Sequence, residues 1–113
     1  MKRMAYLRKE KETVEIDYSL NRIWTAISRV LANLEWSVEQ IDDTAHNIKA
    51  KTKGGFMSWR SAVLIDAVPV DNNTTRVSVS AETPVTTITA IVDFGETRHR
   101  INLFFTALQK ELS

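Results

Sequence analysis

The chain has 113 residues, 43% of them hydrophobic and 26% charged, with a formal net charge of +1. That length fits one domain with a real core and no second one, and the near-neutral balance gives no global field to draw nucleic acid or an anionic membrane. No cysteine is present, which excludes disulfides, thiol catalysis and thiolate metal sites, and no apolar run approaches the roughly 20 residues of a membrane span.

Residues 1–12 carry Lys2, Arg3, Arg8, Lys9 and Lys11 against Glu10 and Glu12, which predicts a charged, solvated N-terminal arm ahead of one domain over 13–113. No apolar core of a signal peptide occurs there, so the expected location is cytoplasmic. Val14 and Ile16 alternate with polar neighbours from Thr13 to Asp17, a short first strand. Ser19 stands where an N-cap belongs, and Leu20, Ile23, Ile27, Leu31 and Leu34 then follow helical spacing, with Trp24 and Val30 at the margins. Trp36 to Ile41 is read as a strand. Val38 and Ile41 fall on opposite faces there unless a bulge near Gln40 realigns them.

Asp42-Asp43-Thr44-Ala45 is a turn. His46 to Thr52 is a strand with Ile48, Ala50 and Thr52 on one face and Lys49 and Lys51 on the other; Gly54-Gly55 ends it. Arg60 to Val68 is the most apolar strand, with Pro69 marking its end or an edge, and Asp71 to Thr74 connects it as a hairpin to Arg76–Glu82. Val85 to Val92 is rich in threonine, isoleucine and valine and is read as a further strand, with a helix as the alternative. Asp93 and Glu96 match a capping pattern for a closing helix that carries Ile101, Phe104, Phe105, Leu108 and Leu112 on one face, with Leu103 unexpectedly on the other.

The order β-α-β-β-β-β-β-α predicts an α+β fold: an antiparallel sheet of five to six strands with both helices on one face. The opposite face, with Lys49, Lys51, Arg76, Ser78, Ser80 and Glu82, is expected to be polar.

Two stretches resemble known families. Val92-Asp93-Phe94-Gly95-Glu96-Thr97-Arg98, followed by Ile101 and Phe104-Phe105, resembles the ending of small bacterial α+β domains of the envelope type. Asp17-Tyr18-Ser19-Leu20-Asn21-Arg22-Ile23-Trp24 is similar to the first strand and helix of START-like, helix-grip ligand binders. The second resemblance implies a ligand cavity between helix and sheet. Neither supplies a catalytic residue.

Candidate chemistry is sparse. His46 and His99 are the only histidines and fall at a turn and on an outer helix face, so solvated surface histidines are the simpler reading. Asp42 and Asp43 are explained by turn chemistry. No serine lies in a nucleophile elbow, and three glycines form no phosphate loop. The expectation is therefore a non-enzymatic protein with no metal and no cofactor.

Three functions remain. The leading expectation is a module working through protein contacts, as a homodimer through residues 85–92 or around Leu103. The first alternative is a small-molecule or lipid binder, its pocket lined by Trp24, Trp36, Trp59 and Phe105. The second is binding to an anionic surface or single strand through Lys49, Lys51, Lys53, Phe56, Trp59 and Arg60, where lysines could track phosphates beside aromatics. Against nucleic acid stands the near-neutral charge.

Overall fold

The computed structural model describes residues 6–53, 60–85 and 95–113. The elements are β1 (Tyr6–Ile16), α1 (Leu20–Leu34), β2 (Ser37–Asp42), β3 (Asn47–Lys51), β4 (Ala62–Asp71), β5 (Thr74–Val85) and α2 (Glu96–Leu112). The strands form one antiparallel sheet in the order β1-β5-β4-β3-β2. The α+β fold with a five-stranded antiparallel sheet and two helices is as expected. A sixth strand over Val85–Val92 lies outside the described residues, apart from Val85, which ends β5.

Strand alternation builds the core. Ile48 and Ala50 of β3, Val63, Ile65 and Ala67 of β4, and Val77, Val79 and Ala81 of β5 are buried on one face. The register places Ile48 beside Ile65 beside Val79, and Ala50 beside Val63 beside Ala81. Both helices cover that face. From α1 come Ile23, Ala26, Ile27, Val30 and Leu31; from α2 come Ile101, Phe104, Leu108 and Leu112. Each valine, leucine, isoleucine or phenylalanine side chain buried this way contributes about 1.5–3 kcal/mol of transfer free energy.

The ends of α1 follow from local chemistry. Ser19 accepts a hydrogen bond from the Arg22 amide at 3.4 Å, as an N-cap should. At the other end the Glu35 amide donates to Ala32 O at 3.1 Å and the Trp36 amide to Leu31 O at 3.1 Å, a Schellman closure. It requires a left-handed residue, and Glu35 takes φ 60° where glycine is usual. Trp36 is thereby turned into the core, where it stacks on Phe104 with ring centroids 6.2 Å apart.

Several boundaries differ from the sequence reading. The arm expected over residues 1–12 is strand from Tyr6 onward: β1 pairs with β5 from Tyr6↔Val85 to Ile16↔Thr75. Its upper half shows no apolar alternation because it is held by ladder bonds and by exposed pairs such as Lys9–Glu82, 3.4 Å. Pro69 does not end β4. It sits past the reach of β3, whose pairing stops at Asp66, and beside a register shift, where a missing amide costs little. Pro84 lies within β5 for the same reason, because the β4 pairing stops at Glu82. In β2 the register shifts between Val38 and Gln40, so Val38 faces Ala50 and Ile41 faces Ile48. The expected bulge is present and restores both to one face.

The start of α2 is also corrected: the helix begins at Glu96, and Gly95, at φ 75°, occupies the N-cap position without a side-chain bond. Asp93 itself is outside the described residues. The outer face of the sheet is polar with two apolar additions, Leu64 and Val68, both about half exposed among the charged residues.

Candidate ligand-binding groove

α2 lies along the edge strand. Arg98 of α2 reaches Glu12 of β1, while Phe105, Leu108 and Leu112 approach Val14, Ile16 and Tyr18. The spacing agrees: about 21 Å of helix from Arg98 to Leu112 at 1.5 Å per residue, against about 20 Å of extended chain from Glu12 to Tyr18. Between the two elements runs a groove of about 340 Å³. It is lined by Glu12, Val14, Ile16 and Tyr18 on one side and Phe105, Leu108, Gln109, Leu112 and Ser113 on the other. The register explains its floor. Glu12, Val14 and Ile16 pair with Val79, Val77 and Thr75, so they lie on the core-facing side of the sheet. On an edge strand they are only partly covered.

Hydrogen bonds pin both ends of the groove. At one end Arg98 Nη2 donates to Glu12 Oε1 at 2.6 Å and Nη1 to the Lys11 carbonyl at 3.3 Å. At the other, Tyr18 Oη donates to Leu112 O at 3.1 Å and Arg22 Nη2 to the same oxygen at 3.5 Å, with the Arg22 guanidinium 5.0 Å from the Tyr18 ring centre. Thr75 Oγ1 donates to Tyr18 O at 2.8 Å and fixes that corner to β5.

A buried hydroxyl chain holds the first turn of α2 against the sheet. Ser61, Thr83 and Thr97 are fully buried and Arg100 nearly so. The oxygens of Ser61 and Thr83 are 2.5 Å apart, those of Thr83 and Thr97 2.8 Å. Arg100 Nη1 donates to Ser61 Oγ at 2.5 Å, and the Ser61 amide donates to Thr52 Oγ1 at 2.9 Å. Every oxygen in this chain has a partner, as burial demands.

The sequence-predicted residues scatter. Phe105 lines the groove; Trp36 packs against Phe104 in the core. Trp24 lies elsewhere, its Nε1 donating to Asp43 Oδ1 at 2.9 Å and its ring edge-on to His46 at 5.0 Å. Trp59 and Phe56 are outside the described residues. Lys49 and Lys51 alternate on the outer face as expected; Lys53 pairs with Glu35, and Arg60 donates to Thr52 O at 2.9 Å and Ser37 Oγ at 3.1 Å. Leu103 is exposed on α2. Among the described residues no group of three or more His, Cys, Asp or Glu could hold a metal ion, and no helix is long and apolar enough to cross a membrane.

Apart from Phe105, sequence reasoning missed the groove, floor and wall alike. Val14, Ile16, Leu108 and Leu112 carry ordinary core signals, and only the strand order reveals that β1 is an edge.

Two carboxyls are held below their usual range. Hydrogen bonds from the Ala45 and Thr44 amides, each 2.9 Å from Oδ1, favour the charged form of Asp42. The Lys53 ammonium does the same for Glu35.

No known family pattern and no curated protein matches the chain by sequence. Solved structures do match by shape. Norcoclaurine synthase from Thalictrum flavum, as a point mutant with a transition-state analogue, superposes with a TM-score of 0.71 at 14% identity, covering 96% of this chain and 95% of that one. The Zhui aromatase/cyclase from Streptomyces gives 0.69 at 12% identity, covering 95% and 94%. A protein from Bacillus thuringiensis gives 0.62 at 14% identity, covering 93% and 96%. These likenesses agree with the helix-grip resemblance of residues 17–24 and lend none to the envelope-type resemblance. By its sheet order, its two helices and these likenesses, the chain carries the small α+β helix-grip fold.

Proposed function

We propose that the chain binds a small, mostly apolar molecule in the groove between β1 and α2. The observation that carries this reading is the groove itself, about 340 Å³ with Val14, Ile16, Tyr18, Phe105, Leu108 and Leu112 on its walls. Ligand sites are concave, mainly apolar and provided with a few polar groups that fix orientation. Here Glu12 and Gln109 are those groups. The shape neighbours named above include one solved with a small molecule bound, which supports reading the fold as a ligand holder. A role through protein contacts alone has less support.

A neutral naphthalene dye such as N-phenyl-1-naphthylamine tests the reading. Its fluorescence should rise saturably on titration with the protein. Gln109→Trp, which fills the groove from an exposed helix position, should abolish the rise while the variant melts like the parent. Saturable binding unaffected by Gln109→Trp would place the site elsewhere, and no binding would remove the reading.

A further inference from the structure

The walls of the groove are mostly apolar, and the one charged side chain among them is the Glu12 carboxylate, at one end. Glu12 lies on the core-facing side of β1, opposite Val79, with its side chain one-third exposed. Its Oε1 accepts from Arg98 Nη2 at 2.6 Å; among the described residues no donor reaches Oε2. A carboxylate accepts about four hydrogen bonds, so most of that capacity remains. Arg98 is not among the lining residues, and its Nη1 donates to the Lys11 carbonyl at 3.3 Å. The other side chains of the lining are uncharged.

Resting on the ligand-site reading above, we propose that the ligand is a cationic amphiphile: a ring-sized apolar body seated between β1 and α2, carrying a protonated amine that bonds Glu12. Three physical arguments support the choice. The half-buried carboxylate already has its desolvation partly offset by Arg98, so an ammonium completes its hydrogen bonding without expelling the existing partner. A neutral hydroxyl can use the same oxygen but brings no opposite charge, so it lacks the Coulomb attraction that an ammonium gains beside a partly buried carboxylate. A carboxylate ligand would face Glu12 across a partly dry gap, where like charges repel. Glu12 is thus a specificity-determining residue, and fatty acids are the wrong class for this groove.

The experiment titrates three probes that share one ring system, 2-(2-naphthyl)ethylamine, 2-(2-naphthyl)ethanol and 2-naphthylacetic acid, into the full chain by calorimetry at pH 7. The amine should bind about tenfold tighter than the alcohol, through the added attraction of opposite charges at a partly buried carboxylate, and the acid weakest. Glu12→Gln should remove the amine's advantage and bring amine and alcohol to equal affinity. Glu12→Asp, which keeps the charge, should retain a preference for the amine. Melting curves of both variants accompany the titrations, because Glu12 also holds Arg98. An amine that binds no tighter than the alcohol, or a preference that survives Glu12→Gln, overturns the cationic ligand and leaves the groove standing. If none of the three probes binds, the groove reading falls with it.

Discussion

Glu35 adopts a backbone conformation that suits glycine. Its φ of 60° closes α1, and its ion pair with Lys53 is exposed and worth little. Glu35→Gly should therefore raise stability, by about 0.5–1 kcal/mol after the extra entropy of an unfolded glycine is counted, read from urea denaturation. Asp42 works in the opposite sense under acid. Its carboxylate is favoured in the folded state by the Ala45 and Thr44 amides, so its folded value lies below its unfolded one. The stability it contributes is fully present above the unfolded value, near 3.9 for an aspartate, and is lost as pH falls through the folded value. Glu35, held down by Lys53, acts in the same direction. Asp42→Ala should flatten the acid limb of a stability–pH profile below about pH 4, because it removes the carboxylate that the two amides hold.

At the scale of elements, the placement of α2 depends on a hydroxyl chain that no apolar residue could replace. Thr83 bridges Ser61 and Thr97, so Thr83→Val keeps the shape and leaves two buried hydroxyls each short of one partner. The cost should be about 1–3 kcal/mol, with the midpoint of denaturation lowered and its slope unchanged. Phe104→Ala, by contrast, removes the ring that joins Trp36 to α2 and should cost about 3–5 kcal/mol. Both helices, most of the strands and the bulge in β2 were legible in the sequence because each has an apolar face with the right period. The upper half of β1 was not. Every residue from Arg8 to Glu12 is charged, although their partners Thr83, Ala81 and Val79 on β5 are buried, so the stretch looks like a solvated run in the sequence and like a strand only when β5 lies beside it. The groove was hidden for a related reason: alternation tells which side chains face the helices, and only the strand order tells which of them lack a full cover.

For the molecule as a whole, a ligand that binds the folded groove and not the unfolded chain must raise thermal stability by mass action. At 100 times its dissociation constant the naphthalene probe should add about 2.7 kcal/mol, seen as a concentration-dependent shift of the melting temperature that Gln109→Trp removes. The shift should be absent for variants whose groove is blocked even when their unliganded melting is normal.

The floor of the groove is the first strand, and its wall is the last helix. β1 meets α2 across 86 positions at Glu12–Arg98, and the Tyr18–Leu112 bond beside it spans 94, so the contacts that close the site are among the most distant of the described residues and carry a high loop-closure cost. A growing or refolding chain can assemble α1 and the β2–β5 meander first. It gains the capacity to bind only when both of its flanks arrive. The site is therefore a report on completed folding: occupancy marks a finished molecule, and a ligand in the groove acts as a latch between the two halves of the chain that met last.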